Sequence, residues 1–393
     1  MGDRYMSRLG WLAVAVAAFP IGLYTVFLGL GSTPFFQRHF LYAHKINTLA
    51  WNNLLLPEKW GFARNQVTPF HLETPDGESL FAWHVLPLPL YLQHEARLAG
   101  QEPGLAEDVT TTDSFKLLRD DPEARLVLYF HGNAGHVAQA WRPDTYHSLT
   151  DTSSYHVVAI DYRGFGLSTG TPDEQGLITD AATVVNWALH VAKVPADRIV
   201  LLGQSLGTAV ATAVAEKYAL QGVDFGGIVL VAGFSDLTTM LSGYKIGGLF
   251  PVLAPVTGWP FLLRRLHRAI VDKWSTANRL ANIVRHSKGR VRLSLIHAED
   301  DTDIPWTEDN VMFRAVVEEK MGSMDDDEFE TWKEERTVRK GDGSFVSTWV
   351  TEPDMVVRQE LFPYGGHNKI MRNAPVALAI MRCFDLQGTS YES

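Results

Sequence analysis

An α/β fold with a mostly parallel sheet covered by helices on both faces is predicted by three features of the 393-residue sequence. Short apolar runs at 79–86, 125–130, 155–160, 198–202, 227–231 and 291–296 have the length and side-chain type of buried strands. Helical patterns lie between them, as at 180–192 and 208–220. The run at 198–202 passes directly into an Ala-rich helix pattern through a Gly-x-Ser-x-Gly turn. Strand and helix in alternation build parallel sheets, because each parallel connection must cross over a sheet face.

The composition fits one large catalytic domain. Hydrophobic residues make up 46% and charged residues 20%, which leaves ample apolar material for a core. The net charge of −10, with no Lys/Arg stripe to offset it, excludes nucleic acid as a partner. Cys383 is the only cysteine, so neither an intrachain disulfide nor a Cys-rich metal site is available. The sequence carries no HExxH, CxxC or Walker-type pattern, and no metal or cofactor is expected. The glycines of DYRGFGLSTG (161–170) lack phosphate-loop spacing and read as a tight loop near the site.

Residues 9–30, LGWLAVAVAAFPIGLYTVFLGL, carry no charge. At about 1.5 Å per residue, a helix of this length crosses a hydrocarbon layer of roughly 30 Å. A cleaved signal peptide is the competing reading, but the apolar stretch exceeds a usual signal core and no clear cleavage zone follows. Arg4 and Arg8 on one side face Arg38 and Lys45 on the other, so charge does not orient the helix. The expected organisation is a membrane anchor at 1–31, a juxtamembrane segment at 32–62 and an α/β-hydrolase catalytic domain at 63–393. The aromatics, leucines and bases of 32–62 suit either the membrane interface or packing on the catalytic domain. A lid is expected at about 235–290. The stretch 306–355, with its MDDDEFE run and KGDGS turn, reads as a polar surface insertion.

The turn Gly203-Gln204-Ser205-Leu206-Gly207 has the context of a nucleophile elbow, the hallmark of the α/β-hydrolase fold. A strand-to-helix turn this tight leaves no room for bulk two residues before or after the serine, and Gly203 and Gly207 meet that need. Ser205 is the candidate nucleophile. After the strand at 125–130 comes His131-Gly132-Asn133-Ala134-Gly135. In this fold an N–H from that loop joins the N–H following the nucleophile to bind an oxyanion, which makes Asn133 and Leu206 the candidate donors. His131 precedes the serine and reads as structural.

The acid and base follow the serine in chain order in this fold. The strand at 291–296 runs into His297-Ala298-Glu299-Asp300-Asp301-Thr302-Asp303-Ile304-Pro305. This resembles the H-G-x-x-D-x-x-V-P pattern of such hydrolases and selects Asp301, with Asp300, Asp303 and the more distant Asp236 as alternatives. Downstream only His367 remains as base, delivered by Gly365-Gly366, with Asn368 expected to cap the helix that follows.

Taken together, YFHGNAGH, DYRGFGLSTG followed by TPDEQGLITDA, GQSLGTAVA, IHAEDDTDIP and GGHNKI resemble the membrane-anchored α/β-hydrolase domain-containing family of the lysophosphatidylserine lipase and monoacylglycerol lipase type. The resemblance covers most of 60–305 and about the final 35 residues; the lid and the stretch 306–355 lie outside it. It implies a single-pass integral membrane enzyme of the endoplasmic reticulum, its catalytic domain lumenal, acting on lysophospholipids or monoacylglycerols. The site residues point to a serine hydrolase acting through an acyl-serine intermediate, and the apolar anchor and the resemblance together imply that it cleaves lipid esters. A thioesterase or peptidase on the same triad, and a catalytically silent membrane scaffold, are the alternatives.

Overall fold

The computed structural model describes residues 2–246 and 250–384. Met1 of the expected anchor, 247–249 of the expected lid and 385–393 of the expected catalytic domain lie outside the described residues. The strands are β1 (Val67–Glu73), β2 (Ser79–Val85), β3 (Arg125–Phe130), β4 (Tyr155–Ile160), β5 (Ile199–Gln204) and β6 (Gly227–Val231). After a two-residue ribbon, β7 (Lys245–Ile246) and β8 (Phe250–Pro251), come β9 (Arg290–Ala298), β10 (Thr337–Arg339), β11 (Phe345–Thr351) and β12 (Asp354–Phe362). The helices begin with α1 (Gly2–Gly31), α2 (Pro34–Tyr42), α3 (Leu88–Gln93), α4 (Glu95–Ala99) and α5 (Asp113–Arg119). They continue with α6 (Arg142–Thr150), α7 (Glu174–Asn186), α8 (Leu206–Ala219), α9 (Leu237–Gly243) and α10 (Pro260–Ala269). The last are α11 (Thr276–His286), α12 (Thr307–Met321), α13 (Asp326–Glu334), α14 (Gly366–Lys369) and α15 (Ala374–Phe384).

Ten strands form one sheet in the order β1-β2-β4-β3-β5-β6-β9-β12-β11-β10. The six from β4 to β12 are parallel, and the outer pairs at each edge are antiparallel. Every residue of β4 and β5 is buried, as strands covered on both faces require. Alternate side chains serve opposite layers. Leu126, Leu128, Ile199 and Leu201 join the core with α7, α8, α11 and α12, while Val127, Tyr129, Val200 and Leu202 join the core with α6 and α15. Each such side chain contributes about 1.5–3 kcal/mol by leaving water.

The stretch 306–355 corrects one expectation. It is no surface insertion: Met312, Phe313, Val316 and Val317 of α12 are fully buried in the main core, and β11 and β10 extend the sheet beyond β12. The MDDDEFE run starts α13, where Asp325 and Glu328 form a reciprocal capping box and acidic side chains favour a helix N-terminus. The KGDGS turn closes the β10–β11 hairpin. The lid stretch is also divided. α11 is a core helix, with Leu280, Ile283 and Val284 buried beside α8 and α12, and among the described residues of 237–270, Leu237, Met240, Leu241 and Tyr244 line the cavity over the site.

In α1 the segment Trp11–Gly31 has a mean hydropathy of 2.0, and none of it is buried. It is long and apolar enough to cross a membrane. Thr33 caps α2, whose Tyr42 is fully buried with its hydroxyl donating to Asp272 at 2.6 Å.

Candidate active site

The β5–α8 turn is too tight for ordinary backbone. Ser205 sits at φ 54°, ψ −121°, a conformation that costs a non-glycine residue about 1–3 kcal/mol. Neighbours hold it there: the Ser205 N–H donates to Val231 O at 3.0 Å at the end of β6. A Cβ on Gly203 would lie 2.4 Å from Gly207 O, and one on Gly207 would lie 1.9 Å from Phe130 O. Both glycines are therefore required sterically.

The hydroxyl of Ser205 lies 2.9 Å from His367 Nε2, and His367 Nδ1 lies 2.8 Å from Asp301 Oδ2. The other Asp301 oxygen accepts the N–H groups of Asp303 and Ile304 at 2.9 and 3.0 Å. The remaining acidic candidates are occupied elsewhere. Asp300 accepts the Gly366 N–H at 2.6 Å and so holds the histidine loop, Asp303 lines the cavity, and Asp236 caps α9. Gly365 and Gly366 take φ of 146° and 54°, which turns the chain out of β12 and presents the imidazole. Asn368 does not cap the next helix as expected. Its side chain accepts from Gln204 Nε2 at 3.1 Å, and Gln204 Nε2 also reaches His367 O at 3.2 Å.

Behind Asp301 is a feature that sequence reading passed over. His297 is fully buried, with Nε2 3.2 Å from Asp301 Oδ2 and Nδ1 3.1 Å from Asp309 Oδ1. Burial pushes this imidazole down, but the Asp309 charge and hydrogen bonds to both carboxylates outweigh that and raise it to about 10. Burial likewise pushes Asp301 up, yet hydrogen bonds from His297 and His367 hold its carboxyl well below the usual range. The result is a chain of alternating partners, Asp309–His297–Asp301–His367–Ser205.

Gly132 brings the loop at 131–135, which holds the candidate oxyanion donor Asn133, against the elbow, since a Cβ there would lie 3.2 Å from Ser205 Cβ. The two amides after Asn133 are tied down: Ala134 N–H donates to Tyr42 O at 2.9 Å and Gly135 N–H to Ile46 O at 2.8 Å. Asn133 and Leu206 line the same cavity as Ser205, and among the described residues neither backbone N–H donates to another protein group. Arg142, also missed in the sequence, fixes the loop. Its buried guanidinium donates to the carbonyls of His136, Gly132, Asn133 and Ala134 at 2.6, 3.1, 3.2 and 2.9 Å. The expected tight loop at 161–170 packs beneath, with the Phe165 ring 5.4 Å from that of His131.

The cavity over Ser205 measures about 460 Å³. Its walls include His39, Phe40 and Leu41 from α2, and Leu237, Met240 and Leu241 from α9. Among the described residues no three His, Cys, Asp or Glu side chains converge to hold a metal ion.

Comparison with known proteins agrees with this arrangement at the level of the fold. Residues 127–372 match the model of the alpha/beta hydrolase family. Protein ABHD12B of Homo sapiens is 31% identical over 241 residues, which cover 60% of this chain and 58% of the human protein. The lysophosphatidylserine lipase ABHD12 of Danio rerio is 25% identical over 287 residues, 73% of this chain and 68% of that protein. Among solved structures, the Pyrococcus furiosus esterase Pf2001 aligns with a TM-score of 0.49 at 14% identity, covering 86% of this chain and 95% of the esterase. With more than half of its length matched to the family model, the chain belongs to the alpha/beta hydrolase family.

Proposed function

We propose that the protein is a membrane-anchored serine hydrolase that cleaves carboxylic esters of lipids. The observation that carries this reading is the contact sequence Ser205–His367–Asp301 at 2.9 and 2.8 Å beneath a largely apolar cavity. In the proposed reaction Ser205 Oγ attacks the ester carbonyl carbon as His367 Nε2 takes the hydroxyl proton. The Asn133 and Leu206 N–H groups hold the resulting alkoxide, each contributing a few kcal/mol by being fixed before charge develops. Asp301 keeps the Nδ1–H tautomer and stabilises the imidazolium. His367 then protonates the departing alcohol, leaving acyl-Ser205, and a water activated by the same imidazole releases the fatty acid.

Substrate class follows from surroundings and relatives together. The anchor presents the site to a bilayer, and the ABHD12 relatives are named as lysophosphatidylserine lipases. A single-chain lipid ester, a lysophospholipid or a monoacylglycerol, fits both. A single-pass position in the endoplasmic reticulum membrane is part of the same proposal. Labelling by a fluorophosphonate probe is the test. Wild-type protein should be labelled and Ser205→Ala should not; labelling that survives Ser205→Ala, or its absence from active wild-type preparations, would overturn the assignment. Competing thioesters, peptides and lysolipids against the probe ranks the substrate classes.

A further inference from the structure

A lipid ester held in a bilayer must bring its carbonyl to Ser205 without exposing its acyl chain to water, and the end of the membrane helix bears on that route. Along most of α1 the apolar side chains are bare: Phe19, Ile21 and Leu23 are 72, 69 and 61% exposed. At Tyr24, Phe27 and Leu28 this changes. These residues pack against Val252, Leu253 and Val256, as do Leu262, Leu263 and Leu266 of α10. Polar contacts fix the junction. The Tyr24 hydroxyl donates to Val252 O at 2.9 Å, and the Gln37 amide donates to Gly31 O and Ala269 O at 2.9 and 2.8 Å while accepting the Val271 N–H at 2.9 Å.

Between α1, α2 and the segment over the site lies a second, apolar cavity lined by Phe27, Leu28, Phe36, Leu253 and Ile270 among others. Phe40, Leu41, Leu237 and Leu241 line both this cavity and the one over Ser205. The same apolar side chains thus wall both spaces. On the outer side, α10 turns Arg264, Arg265 and Arg268 to solvent, and Trp259 and Phe261 stand 68 and 76% exposed beside it. Aromatic side chains and guanidinium groups at the end of a membrane helix match the headgroup layer.

We propose that this junction is the port through which one acyl chain of a bilayer lipid passes laterally to Ser205, with Phe27 and Leu28 of the anchor forming its membrane-side wall. The inference rests on the reading of Ser205 as a lipid esterase nucleophile. On this view the anchor is part of the substrate path as well as a tether. Four apolar wall residues shared by the two cavities, and a lining of the outer cavity without a charged side chain, select an acyl chain over a polar ligand.

The test uses the full chain in phosphatidylcholine vesicles. Hydrolysis of monoacylglycerols is measured from short, water-soluble chains to long, bilayer-held ones for wild type, for Leu253→Trp, which fills the port, and for Leu378→Trp on the exposed face of α15. In Leu253→Trp the ratio of long-chain to short-chain rates should fall about tenfold, the effect of losing burial of roughly two methylenes. Leu378→Trp should leave that ratio as in wild type. In parallel, Ser205→Ala is irradiated with a long-chain lysophospholipid carrying a terminal diazirine, a readout that needs neither turnover nor the tryptophan variant. Label should appear in peptides containing 27–41 and 252–270. Label confined to 11–23, together with an unchanged rate ratio in Leu253→Trp, would overturn the port and leave the esterase reading intact. Port labelling in a protein that hydrolyses no ester of any length would instead sink the esterase reading while the port stands.

Discussion

Replacing Gly207 by alanine adds one carbon to the tightest point of the elbow. That carbon would lie 1.9 Å from Phe130 O, 2.5 Å from Phe130 C and 2.9 Å from His131 O, all of them backbone atoms that cannot rotate away. Ordinary contact begins at 3.4 Å, so the first turn of α8 must withdraw from β3 by about 1.5 Å. The movement carries the Leu206 N–H and the Ser205 hydroxyl with it. A misplacement of about 1 Å at a reacting group costs on the order of 100-fold in rate, equal to about 2.7 kcal/mol of barrier. Overpacking of the core adds a stability loss of about 1–3 kcal/mol, a few degrees in melting temperature. Steady-state hydrolysis of a short-chain ester together with differential scanning calorimetry measures both. Gly341→Ala is the control, since nothing lies within 4 Å of a Cβ there. A folded Gly207→Ala protein with wild-type kcat and melting temperature would refute the steric account of the elbow.

Arg142→Lys keeps the charge but loses the fork that holds four carbonyls of the oxyanion loop, so kcat should fall by roughly tenfold or more with KM little changed; equal losses in both would count against a positioning role. Ser205→Gly removes a non-glycine side chain from φ 54° and should therefore be more stable to urea than the equally inactive Ser205→Ala, by about 1 kcal/mol or more; equal midpoints would contradict strain at the elbow. His297 has a folded-state pKa raised from 6.5 to about 10, so its stabilisation is complete below pH 6.5 and is lost as pH rises toward 10. The wild-type melting temperature should fall over that interval, and His297→Gln should flatten the fall; parallel pH curves would show that His297 carries no charge between Asp301 and Asp309.

The parallel centre of the sheet was readable because its strands are continuous apolar runs, and β3, β4 and β6 begin and end where the apolar runs do. The edges were not. β12 is buried over most of its length yet carries Arg358, Gln359 and Glu360, whose polar groups are matched only in three dimensions: Glu360 accepts from Arg382 at 2.6 Å and Gln359 donates to Asn310 at 2.7 Å. No local pattern reveals such partners, so a core strand looks like surface. β1 contains Pro69 and a terminal Glu73, which mask its pairing with β2. At the candidate site, the elbow glycines singled out Ser205, a motif resemblance Asp301 and chain order His367, and the structure brings the three within hydrogen-bond distance. His297 was read only as part of a motif, and Arg142 not at all, since its role lies in carbonyls that any sequence supplies.

The same limit applies to the segment after α1, and here the structure supplies a consequence. α2 and the turn after it touch the oxyanion loop directly: Tyr42 O and Ile46 O accept the Ala134 and Gly135 N–H groups, and Asn133 Nδ2 donates to Leu41 O at 3.1 Å. Tyr42 is in turn held from the far side, its hydroxyl donating to Asp272 and accepting from Trp274 Nε1 at 3.3 Å. Backbone hydrogen bonds of this kind are geometric constraints as much as energies, since each fixes the direction of the peptide it engages. Two successive amides pinned to Tyr42 and Ile46 leave Asn133 little freedom, and Arg142 closes the remainder from below. The Asn133 N–H that would meet the oxyanion is therefore oriented by the chain that follows α1, so that the position of α2 bears on the shape of the site.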